Sequence, residues 1–160
     1  ELHPDKTKFV YCKDDNRPGS YPNEKFDFLG FTFRSRLSKN RKGKFYVRFS
    51  PAVSNGATKS IRQTIRSWRL PRRSDKSLED FARMFNPVIR GWINYYGSCS
   101  HSALCPTLWH LDRLLSMWAS RKYKRLRGRQ RGAQQWLRRI RKRQPWLFAH
   151  WRFAYGSAGR

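Results

Sequence analysis

Asn86-Pro87-Val88-Ile89-Arg90-Gly91-Trp92-Ile93-Asn94-Tyr95-Tyr96-Gly97 is an aromatic, nearly uncharged block inside a chain of 160 residues whose formal net charge is +26. Charge at that density repels itself, so a packed core must hold the frame together and an anionic partner would relieve it. Val88, Ile89, Trp92, Ile93, Tyr95 and Tyr96 spread apolar surface around much of a helix, which predicts burial on more than one side and marks the block as the centre of the core. Asn86 reads as an N-cap with Pro87 at the first helical position, so a kink or restart is expected there, and Gly97 ends the helix.

The neutral block is flanked by two basic wings. Between Asp27 and Asp75 there is no acid but 13 basic residues, from Arg34 to Arg73, and after Asp112 there are 15, from Arg113 to Arg160, again with no acid. From Ser74 to Asp112, four acids meet three bases. Lys and Arg total 36 against 10 Asp and Glu, the balance of a chain that neutralises phosphates. Such charge often accompanies disorder, but 25 Phe, Trp and Tyr residues argue for a folded chain.

Upstream, Lys8–Cys12 reads as a strand, Asp14 to Asn23 as a loop, Phe26 to Phe33 as a second strand and Lys44 to Phe49 as a third, which together suggest a small antiparallel sheet. Pro51 to Gly56 breaks the pattern. From Thr58, Ile61, Ile65 and Trp68 fall on one helix face, with Lys59, Arg62, Arg66 and Arg69 on others. Ser77 and Asp80 form a capping box that opens a second helix through Leu78, Phe81 and Phe85. Downstream, Leu108, Leu111, Leu115 and Trp118 mark another helix, Gly128 and Gly132 interrupt the basic run, and a short helix follows around Trp136, Leu137 and Ile140. Trp146 to Tyr155 is aromatic without a clean period.

The fold class expected is α+β: a small antiparallel β-sheet or hairpin over residues 1–50, a mainly α-helical bundle over 51–120, and a basic helical tail over 121–160. Three cysteines, Cys12, Cys99 and Cys105, suit reduced thiols and a cytoplasmic location, and no apolar run approaches the roughly 20 residues a membrane span needs. The start at Glu1, with a strand-like segment at once, reads as an excerpt of a longer protein.

The Asn-Pro…Arg-Gly-Trp-Ile-Asn-Tyr run resembles the maturase-specific segment, in the thumb region, of group II intron reverse transcriptases. Leu2-His3-Pro4-Asp5-Lys6-Thr7-Lys8 is similar to their late palm motif and Phe26-Asp27-Phe28-Leu29-Gly30-Phe31 to the hairpin that grips the primer end. The resemblance implies the end of a palm, with Phe28, Leu29 and Gly30 as primer-grip residues, then a thumb or maturase domain and a tail that is a candidate DNA-binding region. It implies a parent RNA-directed DNA polymerase that uses Mg2+, and as partners group II intron RNA, an RNA template/DNA primer duplex, target DNA and the upstream polymerase domain. The metal-binding aspartates of that polymerase have no counterpart here, because Asp14-Asp15 sits in a turn-like Cys-Lys-Asp-Asp-Asn-Arg-Pro-Gly loop; no cofactor is expected in this chain, and no polymerase activity from it alone. Lys6 is either the proton donor to pyrophosphate that the resemblance implies or a solvated lysine ahead of a strand.

Nucleic-acid contact is expected from Lys59, Arg62, Arg66, Arg69, Arg72, Arg73, Arg90, Arg121, Lys122, Lys124, Arg125, Arg138, Arg139 and Arg141, where basic residues interleave with aromatics that can stack on bases. Trp68, Phe85, Trp92, Tyr95 and Trp118 are read as core, whereas Trp136, Trp146 and Trp151 stand open between packing and stacking. Cys99, His101, Cys105 and His110 match no common zinc spacing, so buried thiols and turn histidines explain them better and no metal is expected. A stand-alone basic RNA-binding protein of ribosomal or chaperone type is the alternative reading.

Overall fold

A computed structural model describes residues 7–17, 19–99 and 101–156. The chain divides into two compact units, the first ending at Ala57 and the second beginning at Thr58. The class is α+β, as the sequence reading anticipates.

The first unit is a meander of three antiparallel strands, β1 (Lys25–Phe28), β2 (Phe31–Lys39) and β3 (Phe45–Val53), in the order β1-β2-β3. The span Phe26 to Phe33, expected as one strand, is a hairpin. Phe28 pairs with Phe31, and the turn residues Leu29 and Gly30 have φ of 48° and 80°. A two-residue turn matching the strand twist needs positive φ at both positions; Gly30 adopts it freely, and Leu29 is strained there. Phe26 stacks on its cross-strand partner Phe33 at 4.8 Å between ring centres. β3 continues through Pro51 to Val53, past the point where the sequence pattern breaks, because Phe33 to Phe31 of β2 supply partners for these residues.

Lys8–Cys12, expected as a strand, is not one. A strand needs a continuous ladder, and among the described residues of this segment the backbone reaches across only where the Tyr11 N–H donates to the Asn23 carbonyl. The loop that follows is a built turn. Asp14 pairs with Arg17 at 3.2 Å and accepts from the Asn16 N–H, and Asp15 accepts from the Val47 N–H at 2.9 Å.

The second unit is helical: α1 (Asn55–Ser67, whose first residues precede the boundary), α2 (Leu78–Tyr96), α3 (His101–Lys122), α4 (Gln130–Arg143) and α5 (Ala149–Tyr155). α1 begins three residues earlier than its apolar spacing shows, because the Ser54 hydroxyl accepts from the Ala57 N–H, an N-cap bond. Ile61 and Ile65 are buried, and Trp68 stacks on Phe85 at 4.0 Å. The capping box of α2 is present in both directions: Ser77 N–H donates to Asp80 Oδ2 at 3.0 Å and Asp80 N–H to Ser77 Oγ at 3.1 Å. The bond from the Ser77 backbone holds the Asp80 carboxyl below its ordinary range.

α2 runs unbroken through Pro87, which corrects the expected restart at Asn86. Proline removes one ladder donor, but Arg83, whose carbonyl loses it, and Pro87 itself are exposed to water. Asn86 is not a cap for its own helix. Its Nδ2 donates to the Leu147 carbonyl and its Oδ1 accepts from the Ala149 N–H, both at 2.9 Å, so it tethers α2 to the start of α5.

The core is centred on α3, not on the Asn86–Gly97 block. Leu104, Leu108, Leu111, Leu115 and Trp118 are almost fully buried, and the Trp118 Nε1–H donates to the Arg73 carbonyl at 2.9 Å. Within the block only Ile89 is fully buried; Trp92, Ile93 and Tyr96 pack at the margin, and Val88 and Tyr95 are exposed, Tyr95 by 49%. A helix with apolar groups on several sides needs neighbours on each, and the helices here cover chiefly the Phe81/Phe85/Ile89 face. Tyr95 is therefore not a core residue. Residues beyond 120 do not form a separate tail. Ala133 and Leu137 of α4, with Phe148 and Trp151, enter the same core. α4 also runs through Gly132, and the aperiodic Trp146–Tyr155 stretch yields α5.

Candidate nucleic-acid interface

On α1 the apolar face points inward, leaving Lys59 and Arg66 exposed and Arg62 half-buried. His110 is held below its ordinary range first by burial and then by the positive charges of Arg66 and Arg62 on α1 and Arg113 on α3. His110 therefore stays neutral, and its Nε2 is buried without a partner among the described residues.

Next to His110, Trp109 is 47% exposed, and Arg113, about one turn on along α3, is also at the surface. They form one wall of a groove of about 600 Å³ whose other wall is α4, through Arg131, Gln134, Gln135 and Arg138. Arg113, Arg131 and Arg138 line this groove, and the charges of Arg62 and Arg66 on α1 are felt at His110, beside Trp109 on α3.

Among the described residues Asp112 is the groove's only carboxylate, and it is the last acidic residue of the sequence. Its Oδ1 accepts from Trp151 Nε1 at 2.8 Å and from His150 Nε2 at 2.9 Å; its Oδ2 accepts from Tyr155 Oη at 2.6 Å and from Arg141 at 3.3 Å. Burial opposes ionisation of this carboxyl, yet His150 and the bonds from Tyr155 and Trp151 outweigh it and hold the group below its ordinary range. Burial and the adjacent carboxylate push the Tyr155 hydroxyl up. The Arg141 guanidinium also lies 3.5 Å from the centre of the Tyr155 ring. A lone acid in a basic groove is thus fully compensated, and it fixes the floor of the groove by joining α3, α4 and α5.

The expected contact residues are not equivalent. Arg138 lines the groove, Arg62 and Arg66 stand on the outer side of α1, and Arg141 is paired with Asp112. Arg121 donates to the Pro71 carbonyl at 3.3 Å, and Lys122 donates to the Lys76 carbonyl with its Nζ 5.1 Å from the Trp118 ring centre, so both tie α3 to the preceding segment. Arg69, with φ of 51°, leaves α1 for the short 3-10 turn Leu70–Arg72; Arg72 is exposed and Arg73 half-buried. Arg90 on α2, Lys124 and Arg125 in the turn after α3, and Arg139 on α4 are exposed and do not line the groove. Trp151 is buried, Trp136 half-buried and Trp146 68% exposed.

Trp109, Arg113, Arg131, Gln134 and Gln135 escape the sequence reading. Trp109 sits beside Leu108 in a helix whose apolar positions all read as core; the available signal was its offset from the Leu108/Leu111/Leu115 row, with Arg113 four residues on.

In the first unit, Phe28 and Leu29 are exposed by 59% and 66% at the hairpin tip formed with Gly30. Lys6 lies outside the described residues. Among the described residues no group of three His, Cys, Asp or Glu is arranged to hold a metal ion; the Cys105 thiol lies 3.6 Å from His101 Nδ1, whose Nε2 bonds the Phe153 carbonyl. Nor, among them, is any helix long and apolar enough to cross a membrane.

The model of one family, described as group II intron, maturase-specific domain, matches residues 58–152, beginning where the helical unit begins. No curated protein and no solved structure matches the chain.

Proposed function

The chain belongs to the group II intron maturase-specific domain family, and from that premise we propose that it supports intron splicing by gripping intron RNA along the α1–α3–α4 basic face. The observation that carries this reading is the groove between α3 and α4 lined by Arg113, Arg131 and Arg138, with the charges of Arg62 and Arg66 on α1 felt at His110 of the same α3. Cations held on packed helices meet a folded RNA backbone without first having to be ordered. The neutral His110 and the compensated Asp112 leave the face positive and unobstructed. Lys59, Arg72, Lys124, Arg125 and Arg139 extend the same electrostatic attraction from neighbouring surface.

If about six phosphates are engaged, log K for a structured group II intron RNA falls with log salt at a slope of roughly −4 to −5. A filter-binding titration that gives a slope near zero contradicts the reading.

A second element of the proposal concerns the hairpin. Its strained Leu29-Gly30 turn presents Phe28 and Leu29 to solvent, which suits contact with a template-primer duplex in a parent reverse transcriptase using Mg2+ bound elsewhere. Loss of duplex binding on Leu29→Asp, with RNA binding by the helical unit unchanged, tests it; equal binding by both proteins contradicts it.

A further inference from the structure

We infer that the groove between α3 and α4 is a pocket for a single unpaired nucleotide of the bound RNA, with the base stacked on Trp109. This rests on the RNA-binding reading above and goes beyond it, because attraction between arginines and phosphates does not call for a pocket. A groove of about 600 Å³ falls within the usual size range of small-ligand sites and is too small to admit a duplex.

The walls divide the labour. Trp109 offers a large ring that is 47% exposed, although Leu104, Leu108, Leu111, Leu115 and Trp118 of the same helix are buried. A flat, partly solvated indole gains by covering a base, and only a base splayed from a helix can be covered. Across the groove Gln134 and Gln135 each carry an amide donor and acceptor, the pair needed to meet the edge of a base. Arg113, Arg131 and Arg138 line the same groove and suit the flanking phosphates. The floor does not repel them, since Asp112 is occupied by Arg141, His150, Trp151 and Tyr155. The same bonds hold the floor rigid, so a nucleotide would enter a formed site.

The test uses the full 160-residue chain and two probes, an unpaired, single-stranded oligoadenylate of about 12 nucleotides and a blunt RNA duplex of about 12 base pairs. Trp109→Ala should weaken oligoadenylate binding roughly tenfold or more, leave its salt slope unchanged and leave duplex binding unchanged, while Trp109→Phe restores most of the loss. Equal loss on both probes, or no loss on either, overturns the pocket. A parent chain that binds neither probe contradicts the RNA-binding reading itself, which is a different result. Should Trp109→Ala not fold, Gln134→Ala with Gln135→Ala, on the exposed face of α4, replaces it: loss confined to oligoadenylate supports the pocket, and equal loss on both probes or none on either overturns it.

Discussion

Ala149 opens α5 by donating its backbone N–H to the side-chain oxygen of Asn86, 2.9 Å away on α2. The first N–H groups of a helix have no acceptor within the helix, so Asn86 caps α5 from another element. Its amide nitrogen fills the second half of the bridge at the Leu147 carbonyl. Asn86 thus joins two helices, while Pro87 lies on the exposed side of α2.

Asn86→Ala removes both bonds and leaves Ala149 N–H and the Leu147 carbonyl without them, an expected loss of about 2–3 kcal/mol. Asn86→Asp keeps the acceptor and loses the donor, so it should fall between. Pro87→Ala should not destabilise, because it returns a ladder donor to the Arg83 carbonyl. Thermal melts of the three variants check the order; Asn86→Ala melting with the parent would show that the tether does not hold α2 to α5.

Asp112 has a depressed carboxyl pKa in the folded chain. Its contribution to stability is therefore complete above the ordinary Asp value of about 4 and is lost as pH falls through the lower folded value. Asp112→Asn, which leaves Arg141 without its counter-charge, should cost about 3 kcal/mol at neutral pH. The gap between parent and variant should narrow as melts are repeated at decreasing pH below about 4; a gap that is constant with pH would show that the carboxylate charge is not what stabilises the hub.

Trp118 and Trp92 separate the true core from the block that looks like it. Trp118 is 1% exposed and bonded to the Arg73 carbonyl, so Trp118→Ala should cost about 3–5 kcal/mol. Trp92 lies at the margin, 5.7 Å from Trp68 between ring centres, and its replacement by Ala should cost about half as much. Chemical denaturation of both variants ranks them, and the reverse order would return the centre of the core to the Asn86–Gly97 block.

Local signals were legible where one helix decides its own fate. The spacing of Ile61, Ile65 and Trp68, the Ser77/Asp80 box and the row Leu108, Leu111, Leu115, Trp118 each depend on residues within one or two turns. What could not be read was which other helix covers which face. Trp109 and Trp118 share α3, yet one borders an open groove and the other is sealed, because α4 packs at a position that α3 alone does not specify. Asp112 showed in the sequence only as the edge of an acid-free stretch; its partners lie 29 to 43 residues away. Leu29 is hidden for a different reason, since leucine carries no signal for positive φ and only the Gly30 beside it hints at a turn.

Primer extension with Mg2+ and deoxynucleotides should yield no product from this chain. Asp14 and Asp15 are engaged by Arg17, Asn16 and Val47. Incorporation abolished by Asp14→Ala with Asp15→Ala would mean that this turn holds metal after all.

The central claim is that intron RNA is held by the α1–α3–α4 face, and salt dependence measures it most directly. With Arg62, Arg66, Arg113 and Arg138 all changed to Ala, melting should match the parent, since all four lie off the buried core. The slope of log K against log salt for group II intron RNA should then flatten by about three units, close to one per lost phosphate contact. A quadruple variant that folds normally and keeps the parent's slope would place the RNA elsewhere on the chain and contradict the claim.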